Sequence, residues 1–365
     1  MKLKMSREIK GTVLRYSISI ILTLLFGCIL IAVQGEGPLE AVGYIIEGAF
    51  GSKINIGNTI RWVISSLMVG GAATVAFKSG VSNLGIEGQL YMGALSAAII
   101  GYSLELPHGV HVMACLLAAS IVGMLYALIP ALLRMYFKIN ELVTTLILNF
   151  IAKYLTEYIT MWVIMGGQQS ANGSASITTP QILKTARLST IIKGTTANTG
   201  IFIALGIIFI IAFIYKYTLE GYEFTQIGQN MNFARMGGVN INKSFILIFL
   251  ISGLISGMGG GIEVTGSYYR FMPNFSNNLG WDGIMITRVA NNNPIAVIIV
   301  SLIWGALKQG ALHMERMTTL NRLVVIIIQM LFVLFVSIDY DNLFNKWKEK
   351  IKSKKINYKG GSSIC

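Results

Sequence analysis

The chain has 365 residues, of which 54% are hydrophobic and only 12% charged, whereas soluble domains carry closer to a quarter charged residues. Its formal net charge of +13 raises nucleic acid as a partner, but the basic residues crowd beside apolar blocks without aromatic interleaving, which argues against that class. Cys28, Cys115 and Cys365 stand far apart in the sequence, so neither a disulfide framework nor a metal site is indicated.

In chain order, residues 1–15 form a basic segment with Lys2, Lys4, Arg7, Lys10 and Arg15. The apolar block at 16–33 follows, with no small-residue cleavage site before the acidic stretch Gln34 to Glu40. It is therefore expected to stay as a membrane span. Further apolar blocks occupy 58–77, 84–102, 111–133, 142–165, 200–217, 244–265, 281–290, 294–312 and 322–338. Most approach the ~20 residues that cross a bilayer. The block at 281–290 is too short to cross alone and runs into Asn291-Asn292-Asn293-Pro294. It is expected to be half of a broken helix, because irregular backbone survives at membrane depth only when packed in protein or lining a wet cavity. The expected fold is all-α, a polytopic transmembrane bundle of about ten spans with a break near 281–294.

Lys346, Lys348, Lys350, Lys352, Lys354, Lys355 and Lys359 lie in a basic tail at 339–365. Basic residues beside spans are retained in the cytoplasm, so both ends are expected there, the tail against anionic membrane lipid. One transmembrane domain, 16–338, then carries a long external loop at 166–199 and a cytoplasmic loop at 218–243. The external loop opens rich in Ser, Asn, Gln and Thr, which suits either a solvated loop or a docking surface.

No Gly-x-x-x-x-Gly-Lys-Ser/Thr loop is present to cradle nucleotide phosphates. His108 and His111 flank Gly109 without a third ligand, and His313 stands alone. An enzyme is not expected, nor a cofactor on this chain.

Four polar segments remain. In Asn83-Leu84-Gly85-Ile86-Glu87-Gly88-Gln89, a carboxylate and two amides sit where the chain enters the membrane. Ionisable groups at that depth face a cavity or a partner, although Glu87 could equally cap a helix N-terminus. Glu141, Thr145, Asn149, Lys153 and Glu157 recur every fourth residue, a polar stripe on one helix face. Lys153 could pair with Asn149 or Glu157, and the stripe would line a pathway or form a polar helix interface. The stretch Gly228 to Val239 is small and polar, suited to a short helix lying against another protein and closed by a glycine turn. Gly253, Gly257 and Gly261 then recur every fourth residue, which lets helix backbones approach closely. Glu263 follows near the expected outer end of that span, where it would be solvated.

Together these segments, with Gly283-Ile284 and Asn293-Pro294, resemble the permease subunits of bacterial ABC importers for simple sugars and nucleosides, most closely the nucleoside permeases. The resemblance runs from about Arg61 to Val336. It implies a translocation path in the bacterial inner (plasma) membrane, energised by separate ATPase subunits that hold ATP and magnesium. It further implies that Gly228, Asn230, Phe233, Ala234 and Gly238 form the loop that docks on the ATPase. Asn83, Glu87, Gln89, Thr145, Asn149, Lys153 and Glu157 would border the path of a small-molecule substrate. An external substrate-binding lipoprotein and a second, different permease complete the implied partners. Two other classes stay open: an ion- or proton-coupled transporter using Lys153 and Glu157 as a relay, and a membrane scaffold without a path. The residues do not separate nucleosides from pentoses as the solute.

Overall fold

The computed structural model describes residues 2–165 and 177–338, with side chains from Arg15 onward. The basic tail and the opening of the external loop lie outside the described residues. Among them the main elements are helices: α1 (Lys2–Val33), α2 (Pro38–Phe50), α3 (Lys53–Lys78), α4 (Ile86–Ser103), α5 (Val110–Phe137), α6 (Glu141–Tyr158), α7 (Gly200–Tyr217), α8 (Leu219–Gln229), α9 (Met231–Met236), α10 (Ile241–Glu263), α11 (Leu279–Val289), α12 (Pro294–Met317) and α13 (Leu323–Ser337). Both α6 and α10 continue into a π-helical turn, Ile159–Ile164 and Val264–Tyr268.

Seven helical stretches are long and apolar enough to cross a membrane: Arg15–Val33, Lys53–Lys78, Val110–Phe137, Glu141–Ile164, Gly200–Tyr217, Ile241–Tyr268 and Pro294–Met317. The other three expected crossings appear as α4, α11 and α13. Glu87 and Gln89 lower the apolarity of α4, α11 has 11 residues, and α13 has 15. The chain is a polytopic helical bundle, and its shorter helices are where it departs from simple spanning.

Two compact units divide it, Met1–Ala41 with Thr318–Cys365, and Val42–Met317. In the first, α1 packs on α13: Phe26 and Phe335 rings lie 5.7 Å apart, and Gly27 leaves room for Ile328. Glu36 accepts hydrogen bonds from the Thr319 amide and hydroxyl at 2.9 and 2.8 Å, which hold its carboxyl below the usual range.

The second unit is built around α10. Its predicted small-residue ladder faces α5: a Cβ at Gly253 would collide with Ala127 and Gly123, one at Gly257 with the Ala119 carbonyl, and one at Gly261 with Ala119. Backbone thus meets backbone, the packing that works in lipid, where no hydrophobic force drives helices together. On the opposite side of the core, Trp62 to Ala76 of α3 are buried without interruption.

The connection from α3 to α4 is irregular backbone within the bundle. Residues 79–85 leave the end of α3 and run to Ile86 without forming a helix. Ser252 and Ser256, in the middle of α10, bond to this stretch: Asn83 Nδ2 donates to Ser252 Oγ at 2.9 Å, and Ser256 Oγ donates to the Ile86 carbonyl at 2.6 Å. The first turn of α4 therefore lies against the middle of a spanning helix. There the Ile86 carbonyl accepts from Ser256 and the Gly88 amide donates to Asn149 Oδ1, partners that apolar surroundings require. The expected break near 281–294 is likewise present. The turn 290–293 separates α11 from α12, with Asn291 and Asn292 in left-handed conformation at φ 52° and 56°, a region Asn tolerates better than most residues.

Candidate functional site

Two helix beginnings meet beside a cavity. Glu87 stands in the first turn of α4, and its Oε2 accepts the Gly280 amide of α11 at 2.5 Å. Its Oε1 accepts from the Ser276 hydroxyl. Gly280 is required here, because a Cβ would overlap the Glu87 backbone. The carboxylate thus binds an orphan donor at the start of another helix, where a negative charge is favoured. Glu87 lines the cavity and also stands in the first turn of its own helix, so the structure accommodates both roles open to it.

The cavity beside this pair encloses about 370 Å³, within the ~300–1,000 Å³ of small-molecule sites. Glu87 and Tyr91 of α4 form one wall, Asn149, Phe150 and Lys153 of α6 another, and Asn274, Asn277, Asn278 and Trp281 close it from the α11 side. Three of the predicted path residues, Glu87, Asn149 and Lys153, therefore line one space. Thr145, Asn83, Gln89 and Glu157 are not on its wall. Thr145 is fully buried and donates to the Glu141 carbonyl of its own helix at 2.6 Å. Asn83 and Gln89 bond each other at 3.2 Å in both directions, and Asn83 also receives the Gly85 amide. Their amides shape the irregular stretch ahead of α4.

Asn149 does double work. Its Oδ1 accepts the Gly88 amide and its Nδ2 donates to the Leu84 carbonyl, both at 2.8 Å. The α6 stripe is thus a polar interface with the start of α4 at Asn149, and a cavity wall one turn later at Lys153. These bonds correct the expectation that Asn149 or Glu157 would partner Lys153. Asn149 is already engaged, and no ion pair joins Lys153 to Glu157 among the described residues.

The asparagine loop escaped the sequence reading. Asn274, Asn277 and Asn278 all take positive φ, 60°, 47° and 66°, and their side chains are exposed to the cavity side. Asn278 sits at the N-cap of α11 yet makes no side-chain cap. The Asn-rich run was the available signal, but such runs usually mean only turns.

Two buried ion pairs join the helices around α3, α10, α11 and α12. Asp282 of α11 pairs with Lys308 of α12 and accepts from Trp304 Nε1 at 3.2 Å. Arg61 of α3 lies 2.7 Å from Glu263 of α10, between the rings of Trp62 and Tyr268 at 4.2 and 4.7 Å. Glu263 also accepts from Ser65. It is only 2% exposed, which overturns the expectation of a solvated outer residue. Its partner is 202 positions away in sequence.

At the far end of α3, the predicted docking loop forms α8 and α9. Asn230 caps α9, accepting from the Asn232 and Phe233 amides at 3.0 and 3.1 Å. Ala234 is buried with Ile227 and Ile241, whereas Phe233 and Met236 are 60% and 81% exposed. Gly238 turns the chain at φ 85°. Gly228 touches the α3 end so closely that a Cβ would strike the Lys78 carbonyl, and Gly80 meets Gly228 in turn.

Residues 55–334 match the family described as branched-chain amino acid transport system, permease component. The chain is 30% identical over 342 residues to the guanosine ABC transporter permease protein NupP of Bacillus subtilis, covering 92% of this chain and 96% of that one. It is 27% identical to the glucose ABC transporter permease protein TsgB13 of Haloferax volcanii, covering 87% and 85%. It is 22% identical to the nucleoside ABC transporter permease protein NupB of Lactococcus lactis subsp. cremoris, covering 80% and 82%.

Proposed function

The chain belongs to the branched-chain amino acid transport system permease family, and from that premise we propose that it forms the path by which nucleosides cross the bacterial plasma membrane. It is the permease component of an ABC transporter. The observation that carries the nucleoside reading is the cavity: amides of Asn274, Asn277 and Asn278 beside the rings of Phe150 and Trp281. Amides read hydroxyls and base edges, and aromatic faces accept a flat ring. Both Glu87 oxygens are engaged within the protein. An amino-acid substrate would bring an ammonium group onto a wall that already carries the Lys153 ammonium. Simple sugars are the second reading, favoured by the resemblance to the glucose permease and disfavoured by the aromatic wall, which a nucleobase uses more fully.

In this reading both termini are cytoplasmic, α8 and α9 face the cytoplasm, and the 166–199 loop faces outward toward a substrate-binding lipoprotein. ATP and magnesium act on partner ATPase subunits, and a second, different permease completes the path. Affinity resides largely in the external protein, so the cavity needs only to pass its solute on. The domain limits 16–338 and the docking role of Gly228, Asn230, Phe233, Ala234 and Gly238 belong to the same proposal.

The test is uptake of labelled guanosine, inosine, ribose and glucose by cells that lack their own carriers and express the complete transporter. Nucleoside uptake that needs this chain and a hydrolysing ATPase is the expected result. Uptake of sugars alone would overturn the nucleoside reading. Uptake that persists with a hydrolysis-dead ATPase would instead favour an ion-coupled transporter.

A further inference from the structure

Lys153 brings an ammonium to the cavity wall without an ion-pair partner among the described residues. Its Nζ lies 5.9 Å from the Tyr154 ring centroid, and among the described residues no carboxylate pairs with it. An ammonium offers three donors and no acceptor. The neighbouring polar groups that could balance it are already committed. Both Glu87 oxygens accept from α11 and its approach, and both ends of the Asn149 amide are bonded to the start of α4. Among the described residues the Lys153 ammonium is therefore the charged donor on this wall left free for a solute. Phe150 and Trp281 are 63% and 41% exposed, leaving ring faces open beside it.

Resting on the nucleoside reading above, we infer that Lys153 is a specificity-determining residue that favours bases presenting a ring carbonyl over bases presenting an exocyclic amine. A 6-oxopurine edge shows two neighbouring acceptors, the O6 carbonyl and N7, whereas a 6-aminopurine shows N7 beside an N–H donor. The ammonium donates a charge-assisted hydrogen bond to the first edge. Against the second only N7 accepts, and the N–H beside it, of the same polarity as the ammonium, is left without a partner. A site that recognises a polar group discriminates strongly against the analogue that cannot pair with it.

Inosine and adenosine differ at this edge and share the same ribose, so they make the cleanest pair. Cells without their own nucleoside carriers express the full transporter with its ATPase, companion permease and binding protein. Uptake of each labelled nucleoside is compared between K153M and the parent chain, normalised to the amount in the membrane. Because the binding protein is the same in both strains, a change in the ratio belongs to the permease. K153M should lower inosine uptake on the order of tenfold or more, the loss of one hydrogen bond to a charged group, with adenosine uptake little changed. K153R, which keeps the charge and the donors, should retain the inosine preference. Equal losses of both nucleosides in K153M, or an unchanged ratio, would overturn the inference. K153Q supplies the same comparison should K153M fail to reach the membrane. A parent transporter that carries neither nucleoside is a different result, which removes the nucleoside reading itself.

Discussion

The charged side chains sort by whether protein has answered them. Asp282 and Lys308 answer each other, and Trp304 adds a donor to the carboxylate. Removing one partner strands the other charge in a buried place, which costs about 3–5 kcal/mol in buried pairs. D282N should therefore lower the melting temperature of the purified transporter markedly. The double variant D282N/K308M should recover much of the loss, because it buries no lone charge. A double variant as unstable as D282N alone would show that Asp282 acts through Trp304 rather than through Lys308. The pair also bears on the cavity. Asp282 follows Gly280 by half a turn, and Gly280 holds Glu87. Uptake should fall in D282N even where the protein survives in the membrane.

At the scale of elements, two glycines that look alike in sequence do different work. Gly257 lies inside the α10–α5 crossing, where any Cβ meets the Ala119 carbonyl and the Gly123 backbone. G257A forces the helices apart, an overpacking cost of about 1–3 kcal/mol, and should reduce accumulation of the intact transporter. Gly238 has nothing within 4 Å of a would-be Cβ, but its φ of 85° strains any other residue. G238V should insert and assemble at normal levels while uptake is lost, because the turn after α9 is re-aimed. Normal uptake in G238V would remove the docking assignment. The sequence periodicities were enough for the first kind of feature. A glycine every fourth residue on α10 says that something packs there, and α5 is what packs. They were not enough for the second kind. The period-four stripe on α6 told which face is polar but not what meets it. Asn149 meets the start of α4, an element 61 to 65 residues away, and Lys153 meets only a cavity. Asn83 and Gln89 were legible as polar residues at a membrane boundary, yet their partners, each other and Ser252, depend on where α10 passes. Glu263 was misplaced for the same reason, since Arg61 is distant in sequence and adjacent in space.

In the proposed docking role, a push on α8 and α9 has a short backbone route to the cavity. α8 bears on the end of α3 through Gly228, whose backbone lies against Lys78, Ser79 and Gly80. From Gly80 only the non-helical stretch 81–85 intervenes before α4 begins and Glu87 touches α11. α3 itself carries the other branch: Thr74 and Thr287 hydroxyls lie 3.0 Å apart, and Gly283 packs on the Val69 backbone. Under that proposal, a shift of α8 and α9 would act on both helix beginnings that border the cavity, through groups already in contact. Packed elements of this kind move between discrete arrangements rather than deforming smoothly. G228A places a methyl against the Lys78 carbonyl and should break the first contact of this route. The expected phenotype is uncoupling: the transporter assembles with its ATPase and hydrolyses ATP, but uptake falls far below that of the parent. Loss of assembly would assign Gly228 to docking instead, and normal uptake with normal hydrolysis would mean that the signal enters the bundle elsewhere.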